Sequence, residues 1–185
     1  MHKFVVLLLS LSFAAFAQNA DQQSAGNSPT AGSNQASNAS GSPDTQFVTE
    51  AAQANMAEVA LGKLATEKAQ SDDVKQFGQH MVDDHTKAGE EFKGIVSKNN
   101  WTMPTDMNAE QKATEQRLEK LSGPAFDRAF MEVMVKDHIK AVTDFGKEAN
   151  DTAANSDLRD FANRTYPTLQ EHLTRAKAVN DALTK

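Results

Sequence analysis

No cysteine occurs among the 185 residues. Disulfides, thiolate metal ligands, cysteine nucleophiles and lipid attachment at cysteine are therefore excluded. Aromatic residues are scarce at 6% of the chain, with one Trp and one Tyr. Positive charge is also short: 19 Lys and Arg stand against 25 Asp and Glu, a formal net charge of −6. Without a basic stripe to neutralise phosphates, a nucleic-acid partner is not expected. No Gly-rich phosphate loop follows a strand, and no Ser carries a nucleophile-elbow pattern. What remains is a chain with 39% hydrophobic residues, many of them Ala, a composition that suits a helical domain with a small-residue core.

Residues 1–17 read as a secretory signal peptide. Lys3 supplies the positive start, an apolar run begins at Phe4, and Ala15-Phe16-Ala17 is a small-x-small cleavage site. The run is short for a bilayer span, so the mature chain is expected to have no membrane span. With no cysteine after the run, a lipoprotein is not expected. Residues 18–43 are Gln, Asn, Ser, Ala, Gly and Asp with almost nothing apolar. Such a segment cannot bury enough surface to offset its ordering entropy and reads as a disordered polar linker. The remaining 44–185, roughly 140 residues, suffice for one core.

The apolar pattern of that domain is helical throughout. Val74, Phe77, Met81, Ala88, Phe92 and Ile95 recur every three or four residues, one face of an α-helix. An earlier helix is predicted over about 44–69, with Phe47, Ala51, Ala54, Glu58, Leu61 and Ala65 on its stripe. Ser71-Asp72-Asp73 breaks it and starts the next. A shorter helix is expected over about 108–121. Ser122-Gly123-Pro124 then begins a long helix to Asn150, with Phe126, Phe130, Met134, Ala141 and Phe145 inward. The last helix runs from Ser156-Asp157 to about Leu183, and Pro167 should kink it. The fold class is all-α: a ferritin-like four-helix bundle with a short extra helix in the long crossover between the second and third long helices. A crossover of that length can return along a helix of about 40 Å and make those two helices parallel.

Four polar residues interrupt the stripes. Glu58, His85, His138 and His172 each lie on an inward face. Glu58 and His85 stand at nearly equal sequence distances from the first break, as do His138 and His172 from the second. In antiparallel pairs this means equal height, near the middle of the bundle. Asp84 and Asp137 adjoin two of the histidines and can orient them or join them. His80 falls on the flank and reads as solvent-facing. Met56, Met81, Met131 and Met134 read as core filler rather than a thioether site.

Burying such groups without partners costs about 2–7 kcal/mol each, so they need a reason. Two remain open. The first is a transition-metal site of Glu58, Asp84, His85, His138 and His172, whose imidazole and carboxylate donors suit iron, zinc, copper or manganese. The second is a hydrogen-bonded network that only fixes helix register. A metal-dependent oxidoreductase is a third reading. Di-iron bundles use two Glu-x-x-His pairs and two further Glu residues; here every Glu-x-x-His is missing, and a dinuclear carboxylate centre is not expected. The functions in view are thus metal handling or a stress-related role, or a structural or interaction module, with no established catalysis.

Several motifs in order carry a resemblance. Val82-Asp83-Asp84-His85, Leu121-Ser122-Gly123-Pro124-Ala125-Phe126-Asp127, His138 and Pro167-Thr168-Leu169-Gln170-Glu171-His172-Leu173 resemble the exported bacterial family called domain of unknown function 4142. The resemblance covers 47–183 and implies a ferritin-like bundle in the periplasm or outside the cell. It also implies that Glu58, Asp84, His85, Asp127, His138 and His172 are that family's characteristic polar positions. It assigns no activity.

Overall fold

The computed structural model describes residues 41–184. The expected signal peptide and residues 18–40 of the expected linker lie outside that range. Five helices and no strand occur among the described residues: α1 (Pro43–Lys68), α2 (Asp72–Lys98), α3 (Ala109–Glu119), α4 (Gly123–Asn150) and α5 (Ser156–Ala182). The architecture is the expected ferritin-like bundle of four long helices, with α3 in the crossover.

Local chemistry explains the ends. The Ser42 hydroxyl accepts from the Thr45 N–H at 3.2 Å, and Pro43 occupies the first turn of α1, where its missing N–H costs nothing. Asp72 and Asp73 sit in the first turn of α2, where the helix dipole favours them. Asn108 and Gln111 form a reciprocal capping box at the start of α3. Gly123 enters α4 at φ 56°, the left-handed region, followed by Pro124. The cap of α5 is Asn155, whose side chain accepts from the Asp157 N–H at 2.8 Å. Ser156, expected to cap, is already the first helical residue. Helix α5 runs unbroken through Pro167.

Helix directions follow from which side chains meet. Phe77 meets Phe130 and His85 meets His138, a constant offset along the chain, so α2 and α4 are parallel. Phe92 meets Phe161 and His85 meets His172, so α2 and α5 are antiparallel. The tightest packing lies within two hairpins, α1 with α2 and α4 with α5. Gly62 and Gly78 allow the first of these: a Cβ built on Gly62 would fall 2.7 Å from the Gly78 carbonyl oxygen.

The apolar core is in two pieces. One surrounds Leu61, Phe77, Met81, Phe126, Phe130 and Met134, near the α1–α2 turn. The other surrounds Val48, Ala52, Phe92, Leu158 and Phe161, at the opposite end. Leu118 of α3 is fully buried in the first piece, which pins the crossover to the bundle. Between the two pieces lies the polar layer.

Candidate metal centre

The layer is built by all four long helices. Glu58 of α1, His138 of α4 and His172 of α5 are buried, and His85 of α2 is half-buried. His85, His138 and His172 each offer one nitrogen, and these three atoms lie within 4.8 Å of one another. Their rings are 5.3–6.0 Å apart between centroids.

Each ring is held by one nitrogen and bare at the other. The His138 Nδ1–H donates to the Met134 carbonyl at 2.9 Å. The His85 Nδ1–H donates to the Asn55 side-chain oxygen at 3.3 Å. The His172 Nε2–H donates to the Asp84 carboxylate at 2.9 Å. The acceptors therefore fix the tautomers, because a carbonyl or carboxylate can only accept. His85 Nε2, His138 Nε2 and His172 Nδ1 are enclosed and have no hydrogen-bond partner. Each of them carries a lone pair.

The electrostatics agree with neutral rings. Burial, and then the neighbouring imidazoles, hold His85 down to about 3. His138 is held down to about 4, chiefly by burial. His172 is lowered for the same reason, against the opposing pull of Asp84. Glu58 is pushed up to about 8, first by burial and then by the charge of Asp137. At neutral pH the metal-free site thus presents three unprotonated imidazoles and a neutral carboxyl group.

Glu58 stands beside the three rings rather than among them. Its Oε1 lies 3.8 Å from His138 Nδ1, the anchored side of that ring, and its Oε2 has no partner. Asp84 likewise does not meet the three bare nitrogens; it grips His172 from behind. His80, expected to face solvent, is turned toward this group: its Nε2 is 3.4 Å from the same Asp84 oxygen. Asn55 was not singled out by its spacing, although it lies one turn from Glu58 in the Ala-rich part of α1. Asp127 plays a different part. Its carboxylate accepts the Gln70 and Ser71 N–H groups at 3.0 and 2.9 Å, tying α4 to the α1–α2 turn. Met81, Met131 and Met134 are fully buried core.

A cavity of about 690 Å³ connects this layer with the surface between α1 and α4. Buried His138 and His172 line it, and so do exposed Glu132 and Lys140. Ala54, expected on the core stripe, is exposed and lines this cavity, whereas Ala51 lines it and also packs against the second apolar cluster, beside fully buried Val48 and Ala52. The open side of α1 accounts for the shift.

Fold and site together define a ferritin-like helical bundle with a buried triple-imidazole cluster at mid-height. Residues 28–179 match the family described as Domain of unknown function (DUF4142), and the chain belongs to that family. Among solved structures it is similar to a DUF305 fragment from Deinococcus radiodurans, at 15% identity and a TM-score of 0.67, covering 76% of this chain and 97% of that one. It is also similar to a DUF305 protein from Streptomyces coelicolor, at 9% identity and a TM-score of 0.65, covering 76% and 92%. At these identities the likeness is one of fold. No curated protein matches. No helix among the described residues is long and apolar enough to cross a membrane.

Proposed function

We propose that this protein is an exported metal-binding domain that takes a transition-metal ion on His85 Nε2, His138 Nε2 and His172 Nδ1. The observation that carries this reading is that His85, His138 and His172 each bring a ring nitrogen within 4.8 Å of the others, while each ring also has a buried nitrogen without a partner. A network that merely fixes register would satisfy its polar atoms, since each bare one costs about 1–3 kcal/mol. Here three ring nitrogens and one carboxyl oxygen are left bare at one height. The anchoring of each opposite nitrogen is what metal-binding histidines use to fix tautomer and orientation. Three nitrogen donors with a fourth position open favour zinc, copper or iron over manganese, which prefers oxygen. In tetrahedral coordination the nitrogens would draw in to about 3.3 Å from one another. Glu58 is the nearest buried carboxyl group, and it gives up its proton if it joins the ion. One buried glutamate does not make a carboxylate-bridged dinuclear oxidase, so the function proposed is holding metal rather than oxidation.

Export rests on the signal-like residues 1–17. The similar Streptomyces protein is described as a candidate secreted protein, which agrees. Tag-free, metal-stripped protein dialysed against zinc, copper or ferrous ion should retain at least one equivalent, and His138→Ala should lose the buried one. Retention below about a tenth of an equivalent for all three metals would overturn the reading.

A further inference from the structure

His172 has a second face. While its Nδ1 is buried without a partner, its Nε2 meets Asp84, and the same Asp84 oxygen is approached by His80 Nε2. His80, Asp84 and His172 each offer an atom, and these three lie within 4.8 Å of one another. Two of them sit one turn apart on α2, a spacing the helix itself fixes. The third reaches across from α5. The side chains of His80 and Asp84 are 34% and 36% exposed, so this group is more open to solvent than the inner one, whose unpartnered nitrogens are enclosed. His80 and His172 lie edge to face at 5.3 Å, both rings turned toward one carboxylate.

We propose that His80, Asp84 and His172 form a second, shallower station for a divalent transition-metal ion, joined to the buried centre through the His172 ring. The junction rests on the buried centre proposed above; the outer group stands on its own geometry. Asp84 supplies the negative charge and His80 a free imidazole nitrogen. His172 binds through Nε2 once the proton it donates to Asp84 has left to water. An ion must be a strong enough Lewis acid to displace that proton, so zinc or copper suits the station and magnesium or calcium does not. With both stations filled, the two nitrogens of one ring hold two ions. Asp84 then has two states: it orients His172 when the outer station is empty and is a ligand when it is full.

The test is a copper titration of the metal-stripped full chain, read by retained stoichiometry and by EPR intensity. Wild type should retain two equivalents, and the second should bring less added signal than an isolated ion, because a shared imidazolate couples the two spins. His80→Ala, a change at a partly exposed position, should retain one equivalent with full intensity, and Asp84→Asn should also lose the second. His138→Ala should lose the inner equivalent and keep the outer. One equivalent in wild type and in His80→Ala alike would overturn the outer station while leaving the buried centre standing. Two equivalents with the summed intensity of isolated ions would overturn the shared ring. No retained copper in wild type would overturn both. Helical circular dichroism confirms that each variant is folded.

Discussion

A bare imidazole nitrogen inside an apolar interior is a liability until something uses it. His138 shows this best, being 1% exposed, anchored at Nδ1 and unpartnered at Nε2. Leu is close in volume and brings no polar atom. His138→Leu should therefore stabilise the metal-free protein by about 1–2 kcal/mol, the penalty of one unpaired buried nitrogen. It should also abolish the added stability that wild type gains from metal. Urea denaturation with and without zinc checks both; a metal-free variant less stable than wild type would show that the ring is structural. The same layer sets a pH profile. Glu58 is raised to about 8, so its contribution is complete below its ordinary value of 4.5 and is lost as pH rises toward 8. His85 and His138 are lowered to about 3 and 4, so theirs is complete above 6.5 and is lost as pH falls toward those values. The metal-free protein should melt highest near pH 6–7. It should lose stability more steeply on the acid side, where two rings act together. Scanning calorimetry across pH 4–9 checks this, and Glu58→Gln should flatten the alkaline limb and steepen the acid one above 4.5, where Glu58 opposes the rings. Glu58, His85, His138 and His172 were legible in the sequence because each breaks an apolar stripe at a matching height. The grip of Asp84 on His172 was not, because adjacent residues on a helix point about 100° apart. His80 shares the face of Asp84 at i, i+4 spacing, and that was the available signal for it.

At the scale of elements, the centre depends on how closely α1 and α2 pass. Gly62 and Gly78 face each other across that crossing. A Cβ on Gly78 would lie 2.7 Å from the Ala65 Cβ and 2.9 Å from the Gly62 carbonyl oxygen. Both obstacles belong to the rigid body of α1, so no flexible side chain can give way. Gly78→Ala should cost about 1–3 kcal/mol, the usual range for overpacking. It should also weaken metal binding, because it separates the helices that carry Asn55 and His85. Gly94→Ala is the control, since nothing lies within 4 Å of its added Cβ; in α2 the helix propensity of Ala should make it neutral or stabilising. Thermal melts of both variants decide the matter. The long helices were legible because their apolar periods are sustained over several turns. Their ends depended on single capping contacts, and Asn155 outcompeted Ser156 at one of them. The α1 face was legible at Phe47, Ala51, Leu61 and Ala65, which pack on the two clusters, and failed at Ala54, where the cavity relaxes the demand for burial.

For the whole molecule, the arrangement of the layer matters more than any one ligand. The bundle is two tightly packed hairpins with a looser seam between them, and its apolar core is divided into two clusters by the polar layer. His85 comes from the first hairpin, and His138 and His172 come from the second. An ion held by all three therefore bridges the seam at the height where apolar packing is interrupted. Ligand binding to the folded state stabilises it by RT ln(1 + [L]/Kd), about 2.7 kcal/mol at a hundredfold excess over Kd. Because the bond crosses the seam, that gain should appear in both hairpins at once. Amide hydrogen exchange should slow on zinc addition in α2 around Met81–Ala88 and also in α4 and α5 around Met134–Ala141 and Leu169–Ala176. A chelator should reverse all of it and lower the melting temperature. Protection confined to α4 and α5 would mean that the ion sits within one hairpin on His138 and His172, and that His85 is a bystander. Protection in both, lost in His85→Ala while the fold is retained, would mean that the metal clips the two halves of the bundle together.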